Sequence, residues 1–130
     1  MYSYELLYKK EPTLDESILK LLEEMSVPGK LKGHKYLAAA IRIAVDEPET
    51  VSAVTKMIYP RIAEAYDTNV ACVESAIRTA ITKAWYMGDM ALQYELFGHT
   101  VRFMSGRPGE AEFIAILAQH LRTERQLGRH

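Results

Sequence analysis

The sequence predicts an all-α, compact domain of about six to seven helices around one core. Three observations carry that expectation. Apolar residues recur at three- and four-residue spacing through successive segments, which is the period of one helix face. Capping and breaking residues stand where those segments start and stop. No internal repeat, low-complexity tract or heptad run competes with the pattern, and 130 residues with 48% hydrophobic and 25% charged side chains make one domain's worth of chain with a real core.

Residues 1–11 are tyrosine-rich and read equally as an extended arm or a linker remnant. The first helix opens on a capping box, Thr13 with Glu16, and carries Leu14, Ile18, Leu21, Leu22 and Met25 on one face until Val27-Pro28-Gly29 ends it. A second helix spans about Gly33 to Val45 through Tyr36, Leu37, Ala40, Ile41 and Ala44, and Asp46-Glu47-Pro48 breaks it. A third covers about Glu49 to Ile58 through Val51, Val54, Met57 and Ile58. Pro60 can open a fourth, because its missing N–H would be unpaired there anyway; Ile62, Ala63 and Tyr66 form its apolar stripe. Asp67-Thr68-Asn69 supplies a turn and an N-cap, and a long helix follows from Val70 to Tyr86, stopped by Gly88. Met90 to Phe97 is a short helix closed by Gly98. His99 to Pro108 lacks a helical period and reads as a loop or extended wing. The last helix runs about Gly109 to Arg125 and buries Phe113, Ile114, Ile116, Leu117 and Leu121. The expected organisation is an arm at 1–11, a domain at 12–125 and a tail at 126–130.

The stretch from Tyr59 to Gly88 has the outline of a helix-turn-helix, whose second helix can lie in a DNA major groove. At 100° per residue, Val73, Ile77, Ala80, Ile81 and Ala84 share one face of that helix, with Val70 and Trp85 at its edges. The opposite face holds Ala71, Cys72, Ser75, Arg78, Thr79, Thr82 and Tyr86, with Glu74 on the flank. Arg78 is suited to a bidentate guanine or phosphate contact, Glu74 to accepting from a cytosine amino group, and Ser75 and Thr79 to adaptable hydrogen bonds. The same outline also occurs as plain structure in helical bundles, Arg78 can equally be a solvated surface arginine, and Glu74 a surface carboxylate.

Charge narrows the function classes. The formal net charge is −1, so no global positive field advertises nucleic-acid binding. Residues 55–88 hold Lys56, Arg61, Arg78 and Lys83 against Glu64, Asp67 and Glu74, which is barely basic. Tight sequence-independent DNA binding is not expected. The lone Cys72 excludes an internal disulfide and fits a reducing cytosol. No apolar run approaches the roughly 20 residues that span a bilayer, and MYSYELLYKK lacks the features of a signal peptide, so the expectation is a cytoplasmic protein without a membrane partner. His34, His99, His120 and His130 are scattered, and no metal, nucleotide or catalytic motif occurs. His120 and Glu124 lie one turn apart, but two groups make neither a metal site nor a catalytic set. Neither an enzyme nor a cofactor is expected.

Linked motifs run through most of the chain, from about Pro12 to Glu124. They are Leu14-Asp15 with Ser17-Ile18, Val27-Pro28 with Lys32-Gly33, Tyr36-Leu37 with Ala40-Ile41, and Thr55-Lys56 with Tyr59-Pro60 and Ile62-Ala63. Val73-Glu74, Ala76-Ile77-Arg78, Ala80-Ile81, Ala84-Trp85 and Gly88 follow, then Leu96-Phe97-Gly98 with Thr100-Val101, and Pro108 before Glu112-Phe113-Ile114-Ala115. In this register the chain resembles the C-terminal effector domains of stage 0 sporulation protein A, the sporulation response regulator of endospore-forming bacteria. The resemblance implies a winged-helix-like effector domain of a two-component system that reads short boxes of double-stranded DNA through its helix-turn-helix. It further implies tandem pairing on neighbouring boxes and activation or repression of transcription with RNA polymerase; a polymerase or partner contact is expected at Leu96, Phe97 and Gly98, in the Leu96–Val101 segment. A receiver domain normally precedes such a domain. Only about a dozen residues precede the capping box, so the expectation is a stand-alone effector or a trimmed one.

Departures from the family pattern sit on the reading face. Cys72 and Ser75 stand where the family carries DNA-facing arginines, Ala71 where a small hydroxyl residue is usual, and Thr79 where a histidine is usual; Glu74 and Arg78 keep the family residue. Arg107-Pro108-Gly109-Glu110 replaces a Lys-Pro-Thr-Asn-like segment, so Arg107 keeps the charge while Glu110 would repel a phosphate facing it. The candidate DNA-binding set is Thr68, Asn69, Cys72, Glu74, Ser75, Arg78, Thr79 and Arg107, with altered specificity because each lost base contact is worth roughly 1–3 kcal/mol. Cys72, in the first turn of a helix, is either an oxidisable switch or an incidental reduced thiol. The competing reading is an interaction module that pairs with or titrates a full-length family member, or touches RNA polymerase.

Overall fold

The computed structural model describes residues 11–98 and 106–128. Helix α1, Leu14–Glu24, starts at the capping box: the Glu16 N–H donates to Thr13 Oγ1 at 3.1 Å and the Thr13 N–H to Glu16 Oε1 at 2.9 Å. It closes with Ser26 in the left-handed region at φ 64, the Val27 N–H reaching Leu22 O and the Ser26 N–H reaching Glu23 O. These two bonds are the Schellman pattern, with serine where glycine is usual. Helix α2, Lys32–Asp46, buries Gly33, Tyr36, Leu37, Ala40, Ile41 and Ala44.

The single third helix expected over Glu49–Ile58 is instead two pieces: a 3-10 turn, Pro48–Ala53, and a four-residue α3, Val54–Met57. Thr50 Oγ1 donates to Glu47 O and Ser52 Oγ to Glu49 O, both three residues back, and these hydroxyls support the tighter winding. Pro60 lacks the N–H that would continue the helical ladder across Ile58. Met57, expected on the apolar face, is consequently 37% exposed.

Helix α4, Tyr59–Ala65, carries Pro60 near its start. Tyr59, Ile62 and Ala63 are its buried residues; Tyr66, expected in the stripe, is half-exposed and meets the Tyr36 ring edge-on at 5.3 Å. Helix α5, Val70–Met87, follows, then α6, Met90–Phe97, and α7, Glu110–Leu127, which runs two residues past its expected end and takes the start of the expected tail into the helix. Among the described residues there are seven α-helices and the one 3-10 turn, and no strand occurs. The expected wing at His99–Pro108 lies outside the described residues except for Gly106–Pro108, and so does all of the N-terminal arm except Glu11.

The core is built on α2, which packs most extensively against α5 and α7. Gly33 lets α2 press onto α5: a Cβ there would stand 2.2 Å from the Ala76 carbonyl oxygen and 2.7 Å from Ala80 Cβ. On the far side Phe97 stacks on Phe113 at 5.6 Å and meets Trp85 edge-on at 5.2 Å, which ties α6 to α5 and α7. Arg122 Nη1 donates to Ala44 O at 2.9 Å, satisfying a carbonyl near the end of α2. No described helix is long and apolar enough to cross a membrane.

Candidate nucleic-acid interface

The turn between α4 and α5 is made by the chain's own capping groups. Asp67 takes the left-handed conformation at φ 53, the Thr68 N–H donates to Ala63 O at 2.9 Å, and the Asp67 N–H to Glu64 O at 3.3 Å. This is a second Schellman closure, and it swings the chain directly into the next N-cap. There Asn69 Oδ1 accepts from the Cys72 N–H at 2.9 Å. Asn69 and Thr68, both candidate site residues, therefore hold the entry to α5, with Asn69 exposed and Thr68 half-buried.

Helix α5 sorts its side chains as the 100° period predicts. Val73, Ile77, Ala80, Ile81 and Ala84 are each at most 1% exposed, whereas Ala71, Cys72, Ser75, Arg78 and Thr79 stand on the open face. Cys72 is a free, exposed thiol. Thr82 is half-buried and donates to Arg78 O, while Tyr86 is 80% exposed.

Arg78 is engaged on two sides. Its Nε donates to Glu110 Oε2 at 3.1 Å and its Nη2 donates to Glu74 Oε1, one turn earlier on α5. Glu110 in turn accepts from the Tyr59 hydroxyl at 2.7 Å. Three helices thus meet in one polar cluster, with one guanidinium against two carboxylates. The bond to Glu110, and the attraction behind it, raises the Arg78 pKa further above its ordinary value. Burial first, and then the bond to Glu110, pushes the Tyr59 phenol far up, so it remains a donor. Half of the Arg78 side chain is open to solvent, against 18% for Glu110.

The sequence pattern marks Glu110 as a charge that would repel phosphate. The structure turns it toward Arg78 instead, and brings in Tyr59, which the pattern marks only as a residue beside Pro60. Neither pairing has a local signal, since Glu110 is 32 residues from Arg78 and 51 from Tyr59. Arg107 is half-buried, with Nη1 donating to Pro108 O at 2.9 Å. Of the segment expected to touch a partner, Leu96 and Gly98 are half-buried. Phe97 does not fit that expectation: it is 1% exposed between Trp85 and Phe113, so its ring serves the core. Val101 lies outside the described residues.

A comparison with protein-family models matches residues 18–121 to the family described as sporulation initiation factor Spo0A C terminal.

Proposed function

The chain belongs to that Spo0A C-terminal family, the DNA-binding effector domains of a sporulation regulator, and on that premise we propose a sequence-specific transcription regulator whose box preference differs from the family's. The observation that carries the reading is the open face of α5. A helix whose inner face is fully packed presents Cys72, Ser75, Arg78 and Thr79 side by side, with the exposed Asn69 cap at its N-terminal end, the end that favours a phosphate. Cys72 and Ser75 offer small groups in place of charge, so Arg78 supplies the principal base or phosphate contact, with Glu74, Ser75 and Thr79 beside it. Thr68 and Asn69 line the approach of the backbone, and Arg107 adds a cation. Tandem pairing on neighbouring boxes and contact with RNA polymerase through Leu96 and Gly98 extend the same reading.

Selection of bound duplexes from a random pool tests it. The expected result is an enriched motif, bound with modest salt dependence, whose affinity falls about 5- to 150-fold in Arg78→Ala, the equivalent of roughly 1–3 kcal/mol for one good bidentate contact. No enriched motif and no salt-dependent binding would overturn the reading.

A second reading draws on a different observation. Tyr86, Met90 and Tyr94 expose 64–80% of their surface around an apolar hollow of about 460 Å³ bordered by Trp85, Gln93 and Phe97. A cluster of large exposed apolar side chains suits association with protein. On this reading the domain pairs with a full-length family member and titrates it. Co-purification with that regulator, in the absence of DNA binding, would favour it over the first.

A further inference from the structure

Arg78 is the side chain on which the proposed DNA contact turns, yet it is already held. Of its two partners, Glu74 shares its helix and moves with it. Glu110 does not. It is the first residue of α7, its side chain is 18% exposed, and its second oxygen accepts from the hydroxyl of the buried Tyr59. Glu110 is therefore held by groups outside α5, its own helix α7 and the Tyr59 hydroxyl of α4, so it does not move with Arg78. The start of a helix also favours a negative side chain at that place.

We propose that Glu110 is a built-in restraint on the reading helix: seated on Tyr59, it holds the Arg78 guanidinium back and so weakens DNA binding and the weight of the Arg78 contact in base choice. The proposal rests on the DNA-binding reading above. Its physical content is an exchange. For Arg78 to grip a guanine or a phosphate, it must give up a charge-assisted bond and leave a mostly buried carboxylate without its cation. That carboxylate then lies close to the approaching polyanion, where it opposes binding a second time. Removing the charge while keeping the acceptor for Tyr59 relieves both effects.

The test compares the full chain with Glu110→Gln, Arg78→Ala and the double variant. Duplex affinity and its salt dependence are measured on the motif selected by the wild type, and the Arg78 Nε–H exchange rate is read by NMR without DNA. The expected result is at least fivefold tighter binding by Glu110→Gln. The gain should be clearly smaller in the Arg78→Ala background, where only the repulsion of the polyanion is left to relieve, and the Nε–H, slow to exchange in the wild type, should exchange faster in Glu110→Gln. Thermal melting checks that the variant is folded; if it is not, Glu110→Asn takes its place with the same expectations. Wild-type binding that Glu110→Gln leaves unchanged or weakens would overturn the restraint alone, as would an equal gain in the Arg78→Ala background. An Nε–H that is protected by Glu110, with no duplex bound by any variant, would overturn the DNA-binding reading and the restraint's role with it.

Discussion

At the scale of single residues, the position with least room for change is Gly33. It lies in the first turn of α2, where a Cβ would meet the Ala76 carbonyl oxygen at 2.2 Å. That neighbour is backbone within α5, so relief requires the two helices to part rather than a side chain to rotate. Gly33→Ala is therefore expected to destabilise the domain by about 1–3 kcal/mol, the ordinary cost of overpacking, despite the better helix propensity of alanine. Urea unfolding measures it, and an unchanged midpoint would show that the crossing can open without cost. The sequence pattern marks Gly33 only as the start of a helix. Its role depends on Ala76 and Ala80, more than forty positions away along the chain, and no local rule reports such an approach. Arg78 is a similar case. Its place on the open face is legible from the period of α5, but its two carboxylate partners divide into one legible at four-residue spacing, Glu74, and one that only the tertiary fold supplies, Glu110.

At the scale of elements, what is legible is what is local. The Thr13–Glu16 box, the Asn69 cap and the Asp67-Thr68-Asn69 turn were all expected from adjacent residues, and each forms with the hydrogen bonds its chemistry provides. The split of Pro48–Met57 was not expected, because an apolar period tolerates 3-10 winding and gives no warning of it. Two substitutions test the turn. Asn69→Ala removes the acceptor for the Cys72 N–H and is expected to cost about 1 kcal/mol, seen as a lower Tm. Asp67→Gly relieves a left-handed residue whose cost is roughly 1–2 kcal/mol, while glycine adds unfolded-chain entropy of about 0.5–1 kcal/mol. The balance predicts a gain on the order of 0.5 kcal/mol, and a lower Tm would contradict it. The capping box adds a pH signature. The hydrogen bond from the Thr13 backbone, then that with its side chain, holds the Glu16 carboxyl below its ordinary value. A depressed folded-state pKa gives stability that is present above the unfolded value and lost as pH falls through the folded one. The difference in Tm between wild type and Glu16→Ala should accordingly shrink as pH falls below the usual carboxylate range, and a difference that grows in acid would contradict the assignment.

At the scale of the molecule, α2 decides whether the reading helix is an independent unit. Helix α2 packs against both α5 and α7, and Leu37, fully buried in α2, belongs to that shared core. A reporter sits at the other end of the same structure: Trp85, the only tryptophan of the chain, meets Phe97 edge-on near the end of α5, and Phe97 stacks on Phe113 of α7. If α5 draws its stability from the whole core, a change at Leu37 must be felt at Trp85. Leu37→Ala removes buried methyl groups and leaves a cavity, for an expected loss of about 2–5 kcal/mol. That is a large share of the roughly 5–15 kcal/mol that holds a typical domain together, so the variant should unfold far earlier. The informative measurement is the coincidence of two probes. Far-UV circular dichroism follows all helices, and Trp85 fluorescence follows the junction of α5, α6 and α7. Both transitions should move together by the same amount, because the buried apolar residues of the described helices form one core cluster. Separation of the curves, with Trp85 holding at denaturant concentrations where helicity has already fallen, would show that the α5–α7 junction is a separate cooperative unit. In that case DNA binding through α5 would survive loss of the Leu37 packing, which a single cooperative domain does not allow.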